Sequence, residues 1–393
     1  METFAPVTID QRASSRVAGG HPWVFANEIK GDLKAFQPGQ AVSVQDGRGR
    51  AFGFGYINPR SLIAVRLLST KEIAFDADFF AEKLESADAF RKRFRPGVKS
   101  YRVCFGESDG VPGLVVDRFD DVFVVQSHAA GIDTRTDAVV AGLKKAFSPK
   151  GVLLKYDSSS RTLEGLANRI EVVHGDVPEA LEVDMEGSRF VLNLRAGQKT
   201  GFFHDQAANR ERFSSLVRGA SVLDVFSYVG AWSLAAMKGG ATSAFGIDSS
   251  ADAVGWATRN AEKSGVAAKV RFEKADAFDK LAALEQAKER FDAVVLDPPA
   301  FVKSRKQLDA GMRGYREINR RGFALVKPGG LLVTSSCSRH VGREGFVGML
   351  QGAADDAHRR ARIVAFGQQG ADHPIHLELP ETGYLTCVFL EVR

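Results

Sequence analysis

The chain holds three cysteines, and one of them stands where a thiol could react. Cys337 follows the apolar run GGLLVT in the segment Ser335-Ser336-Cys337-Ser338-Arg339-His340. Hydroxyls surround it and two groups able to carry positive charge follow it. Nearby positive charge lowers a thiol's pKa toward the nucleophilic thiolate. Cys104 and Cys387 lie inside apolar strand patterns and read as packing. A second segment, Asp297-Pro298-Pro299-Ala300-Phe301, closes the run FDAVVL. Two prolines supply no backbone donors and hold the chain extended, so the carboxylate before them is fixed at a strand end. If the two strands are neighbours, thiol and carboxylate share one site.

Three further acids close or follow apolar runs. Asp224 opens Asp224-Val-Phe-Ser-Tyr-Val-Gly230, a turn into a helix whose N-terminus favours a negative group such as a carboxylate. Only Gly230 stands there, so this is not the glycine-rich dinucleotide turn, and a pyrophosphate fits poorly. Asp248 suits a carboxylate accepting both ribose hydroxyls of a nucleoside. Asp276 could accept from an adenine amine. Each acid alone is equally at home as a helix cap; three on consecutive strands point to a nucleoside site. Upstream, Arg195-Ala-Gly-Gln-Lys-Thr-Gly-Phe-Phe-His-Asp-Gln206 is a dense polar segment entering a helix near Asp205. Its spacing fails the phosphate-loop pattern, which leaves capping of a cleft as its reading. His204 reads as a structural histidine.

The elements that must position these groups follow from periodicity. From about residue 191, apolar β-rich runs alternate with helical stretches at 231–238, 251–264, 279–288 and 315–326, the grammar of a doubly wound parallel sheet. Ligands of such α/β sheets bind outside the carboxyl ends of the strands, where these residues lie. Residues 1–72 carry short alternating runs split by QPGQ, DGRG and NPRS, which predicts a small β-barrel-like module. Residues 73–190 read as a middle α+β domain, with helices over 76–95 and 133–147 among strands, and 191–393 as the third domain.

Composition excludes other classes. The chain has 393 residues, 44% hydrophobic and 26% charged, with no run of apolar residues long enough to span a membrane and no metal-ligand spacing. It reads as a reduced cytoplasmic protein with no metal and no membrane. Its formal charge of +5 is unevenly spread. Residues 300–345 hold ten Lys/Arg against three acids, so the rest of the chain is slightly acidic. A single basic stretch of this kind suits a polyanion.

Taken in order, GQKTGFFHDQ, DVFSYVG, GID, ADAF, DPPAF and SSCS resemble the S-adenosylmethionine-dependent methyltransferases of bacterial large-subunit ribosomal RNA that make 5-methylcytosine, the RlmI type. HPWVFANEI and YINPRSLIAVRLLS look like that family's N-terminal PUA module, so the resemblance covers nearly the whole chain. It implies a PUA domain, a middle α+β domain and a C-terminal Rossmann-like class I methyltransferase. It also implies S-adenosyl-L-methionine as cofactor, bound around Lys199, Thr200, Gly201, Phe202 and Phe203, at Asp224, Phe226, Ser227, Tyr228 and Gly230, at Asp248 with Ser249, at Asp276 with Ala277, and at Asp297 with Pro298. Cys337 would be the nucleophile and Asp297 its catalytic partner. The implied substrate is 23S ribosomal RNA, and a homodimer is allowed.

One departure stands out. Other RNA cytosine-5 methyltransferases carry a second cysteine just after the proline of the Asp-Pro motif, where this chain has Ala300. Asp-Pro-Pro also admits transfer to an exocyclic amine, although Ala300 intervenes before the aromatic Phe301. Formation of 5-methyluridine uses the same thiol logic, and a non-catalytic ribosome-assembly protein with a vestigial cofactor fold is the reading from another class.

Overall fold

Alternating side-chain polarity in short runs favours strands with one buried face. In the computed structural model, which describes residues 2–393, the N-terminal runs pair as a six-stranded sheet. Its spatial order is Trp23–Val24, Val65–Ser69, Ala51–Ile57, Gln40–Gln45, Ala5–Ile9, Ile29–Lys30. Val7, Ile9, Val42, Val44, Ile57 and Val65 fill its core. A five-stranded sheet follows, from Ser100–Phe105 at one edge to Arg169–Gly175 at the other. The helices Ala77–Phe94 and Thr136–Phe147 bury Phe79, Phe80, Leu84, Val139 and Leu143 in the same core as this sheet.

The chain forms two compact units. One holds the chain up to Glu179 together with Asn193–Phe202 and Ala371–Thr382; the other holds Ala180–Leu192, Phe203–Gly370 and Gly383–Arg393.

The second unit is built on β1 (Ser221–Val225), α1 (Ala231–Lys238), β2 (Ser243–Asp248), α2 (Ala251–Lys263), β3 (Val270–Lys274), α3 (Ala277–Gln286), β4 (Phe291–Leu296), α4 (Leu308–Leu325), β5 (Val326–Ser336), α5 (Arg343–Asp356), β6 (Ala361–Gly367) and β7 (Thr386–Val392). The sheet order is β3-β2-β1-β4-β5-β7-β6, parallel from β3 to β5, with β7 inserted antiparallel between β5 and β6. The central strands are buried on both faces, as a parallel sheet requires. Leu281, Ile318, Phe323, Phe346 and Leu350 pack on one face; Phe213, Trp232, Ala236 and Ala261 pack on the other. The fold class expected from the sequence is therefore present, and β4 and β5 are neighbours, with Leu296 opposite Thr334.

Two helix starts differ from expectation. α3 begins at Ala277 instead of residue 279, because the Asp276 carboxylate caps it by accepting from Phe278 N and Asp279 N. α4 begins at Leu308, a full two turns before Tyr315. The apolar pattern is broken there by Gly311 and Gly314, which hid the helix. Gly311 is demanded by close packing: a Cβ would sit 2.4 Å from Val302 Cγ2 and 2.7 Å from the Phe301 carbonyl oxygen. The first turns of α4 therefore lie directly on the loop that follows Asp297.

Candidate active site

The end of β1 turns sharply. Phe226 and Tyr228 hold the left-handed conformation at φ 67° and 46°, and Gly230 at 83°. Left-handed backbone at two non-glycine residues is strained and persists where the surroundings dictate it. Two contacts do so: Ser227 N donates to Ile247 O and Tyr228 N donates to Asp248 Oδ2, at 2.9 Å each. The other Asp248 oxygen accepts from Ser250 N at 2.9 Å. The turn of β1 and the acid of β2 are thereby one assembly, and Phe203 joins it with its ring edge-on to Tyr228, centroids 5.3 Å apart. The Ser227 hydroxyl is buried in this turn without a hydrogen-bond partner. An orphaned buried hydroxyl in a strained turn fits a polar ligand there. Ser249 is exposed beside Asp248, and Ala277 is buried at the start of α3.

Asp224 plays a different part. It is fully buried, and its Oδ2 accepts from Ser233 N at 3.0 Å and Ser233 Oγ at 2.7 Å, so it ties β1 to the first turn of α1. Burial pushes its carboxyl pKa up to about 7, against the two serine donors. The folded chain then holds a proton that the unfolded chain has lost above the ordinary carboxylate range. That contribution to stability is complete below about pH 4 and disappears as pH rises through 7. We expect wild type to lose on the order of 3 kcal/mol more than Asp224→Asn between pH 5 and pH 8 in urea unfolding. Parallel pH profiles for the two proteins would refute the assignment.

Asp297 follows β4 by one residue. Its Oδ1 accepts from Gln206 Nε2 at 2.8 Å and its Oδ2 from Trp232 Nε1 at 2.9 Å. Gln206 Nε2 also reaches Ser335 Oγ at 3.1 Å, while its Oε1 accepts from Asn209 Nδ2 at 2.6 Å. Burial raises the Asp297 carboxyl above its ordinary range, and the indole and amide donors oppose that shift. Neither Gln206 nor Trp232 was visible as a site residue in the sequence. Gln206 ends the polar segment 195–206, which was the one signal available.

Cys337 is half-buried just beyond β5, its Sγ 3.9 Å from the Pro298 carbonyl oxygen. It stands beside the segment that begins with Asp297. Ser338 Oγ accepts from Val302 N at 3.2 Å, and Tyr315 OH lies 2.9 Å from Ser338 Oγ and 3.1 Å from Ser336 Oγ. By contrast Cys104 and Cys387 are buried, and burial raises both thiols, that of Cys387 to about 12. Among the described residues no group of three or more His, Cys, Asp or Glu could hold a metal ion, and no helix is long and apolar enough to cross a membrane.

The basic stretch needs correction. Arg316 pairs with Asp356, Arg320 and Arg321 with Glu285 and Glu317, and Lys327 with Asp292. These four cations are held by acids of the folded body: Asp356 at the end of α5, Glu285 on α3, Glu317 on α4 itself and Asp292 on β4. Lys303, Arg305, Lys306, Arg313 and Arg339 are exposed and make no ion pair among the described residues. Lys303 and Arg339 each directly follow a member of the Val302–Ser338 hydrogen bond, so free positive charge flanks the thiol's segment.

Lys199, Thr200, Gly201 and Phe202 belong to the first unit. Lys199 is exposed, with φ 50°, and Gly201, at φ 113°, is buried. Thr200 is fully buried and donates to Asp117 Oδ2 at 2.5 Å, an acid that also holds Arg102. Phe202 is buried. His204 is buried in the second unit, and the neighbouring Asp205 accepts from Tyr384 OH at 2.6 Å.

Comparison with known proteins places the chain. A family model described as a PUA-like domain matches residues 7–70, and one described as an S-adenosylmethionine-dependent methyltransferase matches residues 165–364. The chain is 37% identical over 371 residues to ribosomal RNA large subunit methyltransferase I of Aliivibrio fischeri strain MJ11, covering 93% of each chain. A solved chain described as a SAM-dependent methyltransferase from Streptococcus mutans superposes with a TM-score of 0.84 at 18% identity, over 99% of this chain and 100% of that one. A second solved methyltransferase, complexed with SAH, matches with the same score, identity and coverage. At 18% identity these two speak for the fold alone. The family match over half the chain and the relative aligned over nearly all of it lead to one conclusion: the chain belongs to the S-adenosylmethionine-dependent methyltransferases with a PUA-like domain, the family of ribosomal RNA large subunit methyltransferase I, and its cofactor is S-adenosylmethionine.

Proposed function

We propose that this protein methylates carbon 5 of a cytosine in large-subunit ribosomal RNA, with Cys337 as nucleophile and Asp297 facing the ring nitrogen beside the amine. The substrate class rests on the name of the relatives, which act on large-subunit ribosomal RNA. The observation that carries the reaction is the half-buried thiol 3.9 Å from the Pro298 carbonyl, one residue from the Asp297 carboxylate.

S-adenosylmethionine supplies an electrophilic methyl group on a sulfonium sulfur. The strained turn Phe226, Ser227, Tyr228 and Gly230, with Phe203, would hold it, the Ser227 hydroxyl gaining the partner it lacks. Asp248 with Ser249 would take the ribose, and Asp276 with Ala277 the base, at the ends of β2 and β3. Asp224 contributes by fixing the turn, and Asp297-Pro298 closes the site toward the substrate. The assignment of Lys199, Thr200, Gly201 and Phe202 to the cofactor rests on the resemblance of their motif.

Carbon 5 of cytosine is a poor nucleophile. Addition of the Cys337 thiolate to carbon 6 converts the ring to an enamine and makes carbon 5 nucleophilic. Asp297 stabilises the charge arising at the ring nitrogen. Carbon 5 then takes the methyl group as the bond from that methyl to the sulfonium sulfur breaks, and loss of the carbon-5 proton to water or another base expels the thiolate and restores the aromatic ring. Both faces of this chemistry require an unstacked base, flipped or single-stranded. The free cations Lys303, Arg305, Lys306, Arg313 and Arg339 would hold flanking phosphates. Phe301 weighs against the amine reading, because its ring is already engaged with Tyr315, Phe278 and Phe226, at 4.7, 6.1 and 6.3 Å.

The test is product identity. Large-subunit RNA lacking the modification is incubated with enzyme and methyl-labelled cofactor, digested to nucleosides and resolved by mass spectrometry. We expect label in 5-methylcytidine; label in an N-methylated nucleoside or in 5-methyluridine sinks the proposal.

A further inference from the structure

The geometry points to Tyr315 as the positioning residue for Cys337, a single buried hydroxyl that binds the thiol's segment to the Asp297 segment. The inference rests on the reading of Cys337 as nucleophile and deepens it.

Tyr315 projects from the second turn of α4 and is fully buried. Its hydroxyl meets three groups: Ser338 Oγ at 2.9 Å, Ser336 Oγ at 3.1 Å and Phe301 N at 3.5 Å. The first two flank Cys337 on either side, and the third lies in the loop after Asp297. A phenol has one proton and accepts two hydrogen bonds. Ser336 and the Phe301 amide donate to it, so its own proton goes to Ser338 Oγ, which also accepts from Val302 N at 3.2 Å. Burial raises the Tyr315 pKa, so the phenol keeps the proton this arrangement needs.

The ring is held as firmly as the hydroxyl. It packs 4.7 Å from Phe301 and 5.6 Å from Phe346. The close approach of α4 at Gly311 sets its distance from the loop. Ser336 and Ser338 are each 1% exposed, whereas Cys337 between them is half-buried. With both neighbours pinned inward to one hydroxyl, the intervening side chain is committed to the other side of the backbone. Tyr315 touches neither substrate nor cofactor in this scheme; it acts through the serines.

The experiment compares the full chain with Tyr315→Phe, which keeps the ring and removes the hydroxyl. Three quantities are read: single-turnover methyl transfer, formation of the covalent complex with RNA carrying 5-fluorocytosine, and alkylation of Cys337 by iodoacetamide followed at the peptide level. We expect methyl transfer and adduct formation to fall together by about tenfold to a hundredfold, as for a small misplacement of a reacting group, with the KM for RNA unchanged. The Cys337 alkylation rate should change as well. A folded Tyr315→Phe enzyme that forms the adduct and alkylates at wild-type rates overturns the proposal, whatever its thermal stability. Cys337→Ser separates the two readings: if it retains methyl transfer, Cys337 is not the nucleophile, and a changed alkylation rate in Tyr315→Phe still supports the positioning role while an unchanged one refutes it. Should Tyr315→Phe fail to fold, Ser338→Ala cuts one strand of the knot with the tyrosine intact, and the same readouts decide.

Discussion

Replacing Cys337 by alanine is expected to lower methyl transfer by about 10⁴-fold or more, the scale seen when a covalent nucleophile is removed from an otherwise intact site. The protein should remain folded, because the side chain is half-buried and alanine keeps its Cβ. Cofactor affinity measured by calorimetry should stay within about twofold, since the turn and acids at β1 and β2 are untouched. The competing amine mechanism makes the opposite forecast, because direct transfer needs no thiol. Wild-type protein should also form an adduct with RNA carrying 5-fluorocytosine that survives denaturation, and Cys337→Ala should form none. Cys104 and Cys387 are no substitutes: burial keeps both as thiols at neutral pH. Methylation by Cys337→Ala at even a tenth of the wild-type rate would end the covalent scheme.

Asp297→Asn is expected to cost about 10²- to 10³-fold in kcat, the range found when a preorganised group facing developing charge is lost. Asparagine is nearly the same shape but not the same partner. Both carboxylate oxygens accept hydrogen bonds, from Gln206 Nε2 and from Trp232 Nε1, so one face of an amide would meet a donor with a donor. The pH profile carries a finer signature. Burial raises the Asp297 carboxyl, and the indole N–H pulls it back by favouring the charged form. If Asp297 gives a proton to the ring nitrogen, kcat/KM falls as pH climbs through that raised value. Trp232→Phe removes the donor and should move this limb to higher pH. A limb moving downward, or an Asp297→Asn enzyme with wild-type kcat, contradicts the role.

Much of this site could be read along the chain because its parts end local patterns. Asp248 closes an apolar strand run, Asp297 precedes two prolines, and Cys337 follows a β run into a serine cluster. Strand periodicity and proline geometry are properties of a few consecutive residues, so one sequence displays them. The groups that tune these residues follow no such pattern. Gln206 is 91 residues from the carboxylate it holds, Trp232 is 65 away, and Tyr315 is 23 from Ser338. Each is unremarkable in its own neighbourhood. The charge count over 300–345 misled for the same reason: Glu285 and Asp356, which neutralise Arg316, Arg320 and Arg321, lie outside the window.

By itself the sequence determined the alternation of strands and helices, the strand-end acids, the order of the motifs and the one cysteine set among hydroxyls. Those features are written in backbone preference and in the period of apolar residues, both local. Only the tertiary structure decided which cations remain free, that Asp224 ties β1 to the first turn of α1, and that one buried phenol joins the two segments bearing the thiol and the carboxylate. Hydrogen bonds and ion pairs form between whatever the fold brings within about 3 Å, and that proximity is a property of packing with no trace in the spacing of residues.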